Sequence, residues 1–258
     1  MKQYLTNFLK YKSLLWNLVV RDLKIKYRRS VLGFAWSILN PLLMMIVITA
    51  VFQNLFRTNI ENFPIYYLTG YLFFSFVTES TNLAMTSIIG SASLIKKVYI
   101  PKYIFPLEKC IFSFVNMLFS FIATIIVMLV LKVPITPTFF AFPIPMLYLF
   151  VFSVGLSFFL AAANVFFRDV AHLYSVFTTA WMYLTPIFYP MEMLPEFMVE
   201  VVTFNPLYHY ILYFRALVLG NHIPDLRTNM ICIGFSVIML ILGLIFFKKK
   251  QDKFILYV

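Results

Sequence analysis

Residues 110–131 read CIFSFVNMLFSFIATIIVMLVL and carry no charge. As a helix rising 1.5 Å per residue the run extends about 33 Å, enough to cross a hydrocarbon core of roughly 30 Å. Five runs of the same character flank it, at 33–56, 65–89, 139–167, 172–189 and 230–247. A further apolar stretch, 191–219, is interrupted by Glu192, Pro195, Glu196, Glu200, Pro206 and Arg215, which leave each half too short to span. The pattern predicts an all-α membrane protein: six transmembrane helices, with a re-entrant helical gate over residues 191–225 between the fifth and sixth.

The whole chain agrees. Its 258 residues are 62% hydrophobic and 12% charged, with a mean hydropathy of +0.89. A soluble domain is about 45–50% apolar and about 25% charged, so too little polar surface is available to coat a water-soluble globule. Seven glycines and ten acidic residues leave little material for a phosphate-cradling loop or a carboxylate metal site. Cys110 and Cys232 lie in apolar context with no CxxC and no histidine at ligand spacing, so neither a disulfide framework nor a metal site is expected. The charged first 30 residues lack an apolar run followed by a small-residue cleavage site, and no removable signal peptide is expected.

The 21 Lys and Arg outnumber the acids by 11. They do not form one soluble patch, which argues against nucleic acid, but gather between the apolar runs as in loops facing anionic lipid. Eight fall in residues 1–32, four in 90–109, one in 164–172 and four beyond Phe247; only Arg57, Lys132, Arg215 and Arg227 fall on the other side. The asymmetry predicts a multi-pass membrane protein with both termini cytoplasmic. One domain fills residues 1–258: an N-terminal segment 1–32, the spans and gate within 33–247, and a cytoplasmic tail 248–258.

Within the N-terminal segment, Trp16, Val20, Leu23, Tyr27 and Val31 form one stripe at 100° per residue, beside a polar stripe of Asn17, Arg21, Lys24 and Arg28. This describes an amphipathic helix lying in the membrane interface. The plain alternative is a basic juxtamembrane cluster that only sets topology.

No glycine begins a GxxxxGK[ST] loop, and no GxSxG elbow occurs. Any ATP used must therefore sit on another chain. Glu79, flanked by Thr78, Ser80, Thr81 and Asn82, is the one acid well inside a span. A carboxylate at mid-membrane costs about 2.5–3.5 kcal/mol on insertion scales, so it should face a partner, a cavity or water. It marks either a transport path or a bonded point of helix packing. The loop Ser93-Leu94-Ile95-Lys96-Lys97-Val98-Tyr99-Ile100-Pro101 suits docking to a soluble partner, or is an ordinary basic loop. Tyr174, Phe177, Trp181 and Phe188 make an aromatic face on the fifth span, fit either to stack on sugars or to pack and anchor helices.

Several of these residues together resemble the membrane subunits of ABC polysaccharide and teichoic acid exporters. The run Arg21-Asp22-Leu23-Lys24-Ile25-Lys26-Tyr27-Arg28-Arg29-Ser30-Val31-Leu32-Gly33, with Trp36 and Asn40-Pro41-Leu42, is similar to that family's opening sequence. Leu94-Ile95-Lys96-Lys97 with Pro101 and Pro106 resembles its first cytoplasmic loop, and Asn164-Val165-Phe166-Phe167-Arg168-Asp169 its second. Thr185-Pro186-Ile187-Phe188-Tyr189 with Pro195, then Asn205-Pro206 with Phe214-Arg215, resemble the end of the fifth span and the gate. The likeness runs from about Leu18 to Phe247; Arg57 and the apolar tail 254–258 fall outside its motifs.

The resemblance implies a homodimer with two copies of an ATPase subunit, which binds the ATP and Mg, while this chain carries no cofactor and no catalytic residue. It implies a channel in a bacterial plasma or inner membrane for a lipid-linked polymer such as O-antigen, teichoic acid or capsule-like glycan, lined by the first and fifth spans through Trp36, Tyr174, Phe177, Trp181 and Phe188. Leu94, Ile95, Lys96, Lys97, Tyr99, Pro101, Arg168 and Asp169 would couple to the ATPase. Arg21, Lys24, Arg28 and Arg29 would attract lipid headgroups or a pyrophosphate. The rivals are an ABC exporter of drugs or small lipids and an intramembrane enzyme acting on lipid-linked sugars.

Overall fold

The computed structural model describes residues 2–28, 30–54 and 60–257, and within them the side chains other than those of 2–9, Tyr27 and Asn54. Arg29 and Arg57 lie outside the described residues, as does Val258 at the end of the tail. The α-helices among the described residues are α1 Lys2–Tyr27, α2 Ala35–Asn54, α3 Phe63–Gly90, α4 Ala92–Lys97, α5 Ile104–Val130, α6 Pro143–Phe166, α7 Val170–Tyr183, α8 Glu196–Thr203, α9 Pro206–Val218 and α10 Leu226–Lys250. Short 3-10 helices cover Pro137–Ala141, Met191–Met193 and Gln251–Leu256, and no strand occurs among the described residues.

Among the described residues, four segments are long and apolar enough to cross a membrane: Ala35–Gln53, Ile104–Val130, Pro137–Phe166 and Leu226–Leu256. The expected second and fifth spans differ from these for separate reasons. Helix α3 has 28 residues, but Tyr66, Tyr67, Tyr71 and the polar run Thr78–Asn82 dilute its hydropathy. It is instead the central helix, with seventeen buried residues, packed on α2, α5, α6 and α9. Helix α7 stops at Tyr183 after 14 residues, about 21 Å, and the chain runs on without regular structure to Pro190.

Two large apolar clusters, beside a small third one of Met85, Leu160 and Tyr174, lie along α3. Around its first half gather Phe63, Phe73, Phe76, Phe121, Tyr210 and Phe214. Around its last turns gather Leu15, Ala84, Ile88, Ile104, Phe158 and Phe254. Helices α6 and α10 pack so tightly that a Cβ on Gly243 would run into the backbone of Gly155, and one on Gly155 into the backbone of Met239 and Leu240. Small residues of this kind let backbones approach where lipid offers no hydrophobic drive for association.

Helix α1 packs against α5 through Leu15, Leu18 and Val19, a face one step round from the apolar stripe in the sequence. Trp16 is 57% exposed, and Val31 lies beyond the helix in the turn before α2, where Gly33 takes φ 50°. The stripe therefore stops short of Val31, because the helix ends first. The tail folds back: Phe254 is fully buried against Phe247 and Phe166, and the Lys102 ammonium donates to the Gln251 carbonyl at 2.6 Å.

Candidate functional site

Glu79 is half-buried and bonded from two helices. The Lys26 ammonium, in the last turn of α1, donates to its Oε1 at 2.7 Å, and Asn116 Nδ2 of α5 donates to its Oε2 at 3.1 Å. Ser37 of α2 donates to Asn116 Oδ1 at 2.9 Å, and Ser120 donates to the Ser37 carbonyl at 3.0 Å. The network edges a cavity of about 340 Å³ lined by Lys26, Trp36, Ser37, Asn40, Tyr71, Ser75, Glu79, Asn116 and Ser120 together with Pro41. Sequence reading singled out Glu79 and Trp36 and missed Lys26, Asn116 and Ser37. The available signal was the four-residue spacing of Asp22 and Lys26, which places two charges on one side of α1. Asp22 in turn takes an ion pair from Lys109 of α5 and one from Arg21 at 2.8 Å.

A second polar junction lies where α7 ends. Asn205, the N-cap of α9, accepts from Trp181 Nε1 at 2.8 Å and from the Leu207 amide at 3.0 Å, and donates to the Thr185 hydroxyl at 2.8 Å. Arg215 of α9 reaches α3 and the 184–190 segment. Its guanidinium donates to the Pro186 carbonyl at 2.8 Å and the Tyr66 carbonyl at 2.9 Å, and its carbon lies 3.4 Å from the centre of the Tyr66 ring. Gly70 makes room for it, since a Cβ there would meet the guanidinium at 3.0 Å. Backbone carbonyls thus satisfy the arginine where no carboxylate among the described residues pairs with it, a solution known within membranes.

The aromatic stripe divides between packing and exposure. Tyr174 is buried and hydrogen-bonds Thr81 at 2.8 Å; Trp181 is buried edge-on to Phe74; Phe188 is half-buried and stacks on Phe52 and Tyr67. Phe177 is 52% exposed, and Trp36 44%. The basic residues Arg21, Lys24 and Arg28 line an open groove of about 460 Å³ along α1. In the loop after α3, Lys96, Lys97 and Tyr99 project outward while Leu94 and Ile95 pack inward and Pro101 is half-buried. Arg168 and Asp169 are exposed beside Phe167.

The model of the ABC-2 type transporter family matches residues 13–219, and the chain belongs to that family. It is 31% identical to the O-antigen export system permease protein RfbA of Myxococcus xanthus, over 95% of each chain. A Klebsiella pneumoniae protein of the same name is 29% identical over 91% of this chain and 90% of its own. The capsule polysaccharide export inner-membrane protein CtrC of Neisseria meningitidis serogroup A is 23% identical, over 93% and 92%.

Proposed function

We propose that this chain is the channel-forming permease subunit of an ATP-driven exporter of lipid-linked polysaccharide in a bacterial inner membrane. The observation that carries the reading is the end-to-end match to a protein named as an O-antigen export permease, covering 95% of both chains. The reading requires an ATPase partner, since the sequence holds no phosphate loop of its own. Two ATPase copies serve a homodimer of this chain, and both termini face them from the cytoplasm, as the Lys and Arg asymmetry favours.

Six crossings arise when α3 and α7 join the four apolar segments, with residues 184–190 extending α7 across the remaining depth. The gate is built from α8 and α9, about 12 and 20 Å long and so each too short to span. Helix α1 lies at the interface with Arg21, Lys24 and Arg28 toward headgroups. The exposed sides of α2 (Trp36, Leu43, Val47) and α7 (Val176, Phe177, Tyr183) support a polymer path formed between two copies. Lys96, Lys97, Tyr99, Arg168 and Asp169 project as the coupling surface.

A drug exporter of similar architecture would want an apolar pathway, and the intramembrane cavity here is polar. A membrane enzyme would need a carboxyl poised toward substrate, whereas Glu79 is bonded to Lys26 and Asn116. Deleting the chain in its host tests the proposal. The surface should lose one glycan while its lipid-linked form accumulates on the cytoplasmic leaflet, and complementation should restore it. A surface unchanged in every glycan would overturn the reading.

A further inference from the structure

The cavity beside Glu79 has walls from four helices and a composition that selects its occupant. Charge comes first. The Lys26 ammonium and the Glu79 carboxylate compensate each other at 2.7 Å, so the cavity offers an anion no net attraction and sets a carboxylate against it. Polarity comes second. The Asn40 amide, the Trp36 indole N–H and the Tyr71 hydroxyl make no hydrogen bond to any described residue, yet all three line the space, with the Ser75 hydroxyl among them. An apolar chain seated there would leave the Asn40, Trp36 and Tyr71 groups unsatisfied, at a cost of about 1–3 kcal/mol each by protein mutational scales.

Shape comes third. Two aromatic rings border the cavity. Tyr71 is backed by Tyr67, with ring centres 5.4 Å apart, and Trp36 is partly exposed. Flat rings beside an amide, hydroxyls and a bonded carboxylate suit a molecule with an apolar C–H face and an edge of hydroxyl groups. The volume, about 340 Å³, is at the small end of ligand sites, which favours one ring over a chain of them.

We propose that this cavity is a binding site for a single neutral sugar ring, held by Trp36 and Tyr71 against its faces and by Asn40, Ser75 and the Glu79–Asn116 pair at its hydroxyls. The source of the sugar rests on the glycan-export reading; the chemistry of the site does not. It places a specificity-bearing contact where α1 hands over to α2, apart from the α7 stripe.

The test uses the full chain in lipid nanodiscs, titrated with methyl glycosides of hexoses, 6-deoxyhexoses and N-acetylhexosamines while tryptophan emission is followed. At least one glycoside should give a saturable change that disappears in Trp36→Phe and whose Kd rises about 3- to 10-fold in Asn40→Ala and Tyr71→Phe, the scale of one lost hydrogen bond. Inorganic pyrophosphate should give none. No saturable change with any glycoside, a change undiminished in Trp36→Phe, or saturation by pyrophosphate instead overturns the site. Should Trp36→Phe fail to fold, maleimide labelling of Ser75→Cys decides: protection by the glycoside supports the site and unhindered labelling rejects it. The native Cys110 and Cys232 are buried and leave that signal clean. Failure of binding in a strain whose surface glycan still depends on the chain sinks the sugar site alone. A surface glycan indifferent to deletion sinks the export reading, and binding in nanodiscs would still establish the site.

Discussion

The Trp181 indole donates to Asn205 Oδ1 at 2.8 Å, joining the last turns of α7 to the N-cap of α9. The same ring stands edge-on to Phe74 of the central helix, so Trp181 holds three elements together, whereas its neighbour Phe177 is half exposed.

The stripe can therefore be divided by mutation. Trp181→Ala should cost about 3–5 kcal/mol through the cavity it leaves and lower the yield of folded protein. Trp181→Phe should cost about 1 kcal/mol, the hydrogen bond alone. Phe177→Ala should leave yield and thermal unfolding unchanged and cut glycan export several-fold. Unaltered export with Phe177→Ala would remove Phe177 from the polymer path.

The α6–α10 crossing gives a sharper structural expectation. Gly155→Ala and Gly243→Ala each drive a methyl into the facing backbone and should lower the unfolding midpoint in detergent markedly, since overpacking costs about 1–3 kcal/mol or more. Gly234→Ala, in the same helix with open space at its Cβ, should be neutral or slightly stabilising. Equal effects of Gly243→Ala and Gly234→Ala would contradict the crossing.

Much of this was readable from the chain because lipid imposes a length on apolar runs: the segments at 110–131 and 230–247 needed no other information. The need of Glu79 for a partner was readable too, from the cost of a carboxylate at depth. That the partner is Lys26, 53 positions away, was not, because a contact between helices depends on their rotation and crossing, which periodicity does not fix. Helix α1 shows the same limit. Its apolar stripe was visible, but Leu15, Leu18 and Val19 do the packing. In the tail, Phe254 looked unattached because its pocket comes from Phe166 and Phe247, on two other helices.

Docking of α1 should depend on pH through Asp22. Burial raises its carboxyl, but hydrogen bonds and charge from Lys109 and Arg21 outweigh that and hold it below the usual carboxylate range. A folded-state value below the unfolded one of about 3.9 means the stabilisation is present above that pH and fades as pH falls through the folded value. The contribution of Asp22 to thermal unfolding should thus be constant from neutral pH to about 5 and be lost below about 4. Asp22→Asn should flatten the drop; an unchanged acid limb would show that Asp22 does not carry it.

Arg215 should be irreplaceable by lysine. Its planar fork serves two carbonyls on different segments while lying over the Tyr66 ring, and an ammonium can do neither geometry at once. Arg215→Lys should loosen residues 184–190, seen as faster thiol labelling of Ile187→Cys, which is otherwise fully buried. Export should fall while expression is retained. Labelling as slow as in the parent would mean that the 184–190 segment is held by other contacts.

The loop after α3 separates coupling from folding. Lys96, Lys97 and Tyr99 project from it, Tyr99 with 89% of its surface exposed, while Leu94 and Ile95 turn back into the cluster around Ile88 and Ile104. A docking surface needs its energetic anchor outside, and an exposed aromatic ring flanked by two cations is the kind of residue that serves as one. Tyr99→Ala and the charge reversals Lys96→Glu and Lys97→Glu should therefore weaken co-purification of the ATPase and lower its activity in the complex, with the unfolding midpoint of this chain unmoved. Leu94→Asp should act in the opposite manner, burying a charge in an apolar cluster and lowering the midpoint before any effect on partner binding is seen. If Leu94→Asp instead releases the ATPase with its own fold intact, Leu94 faces the partner and the inward packing is wrong.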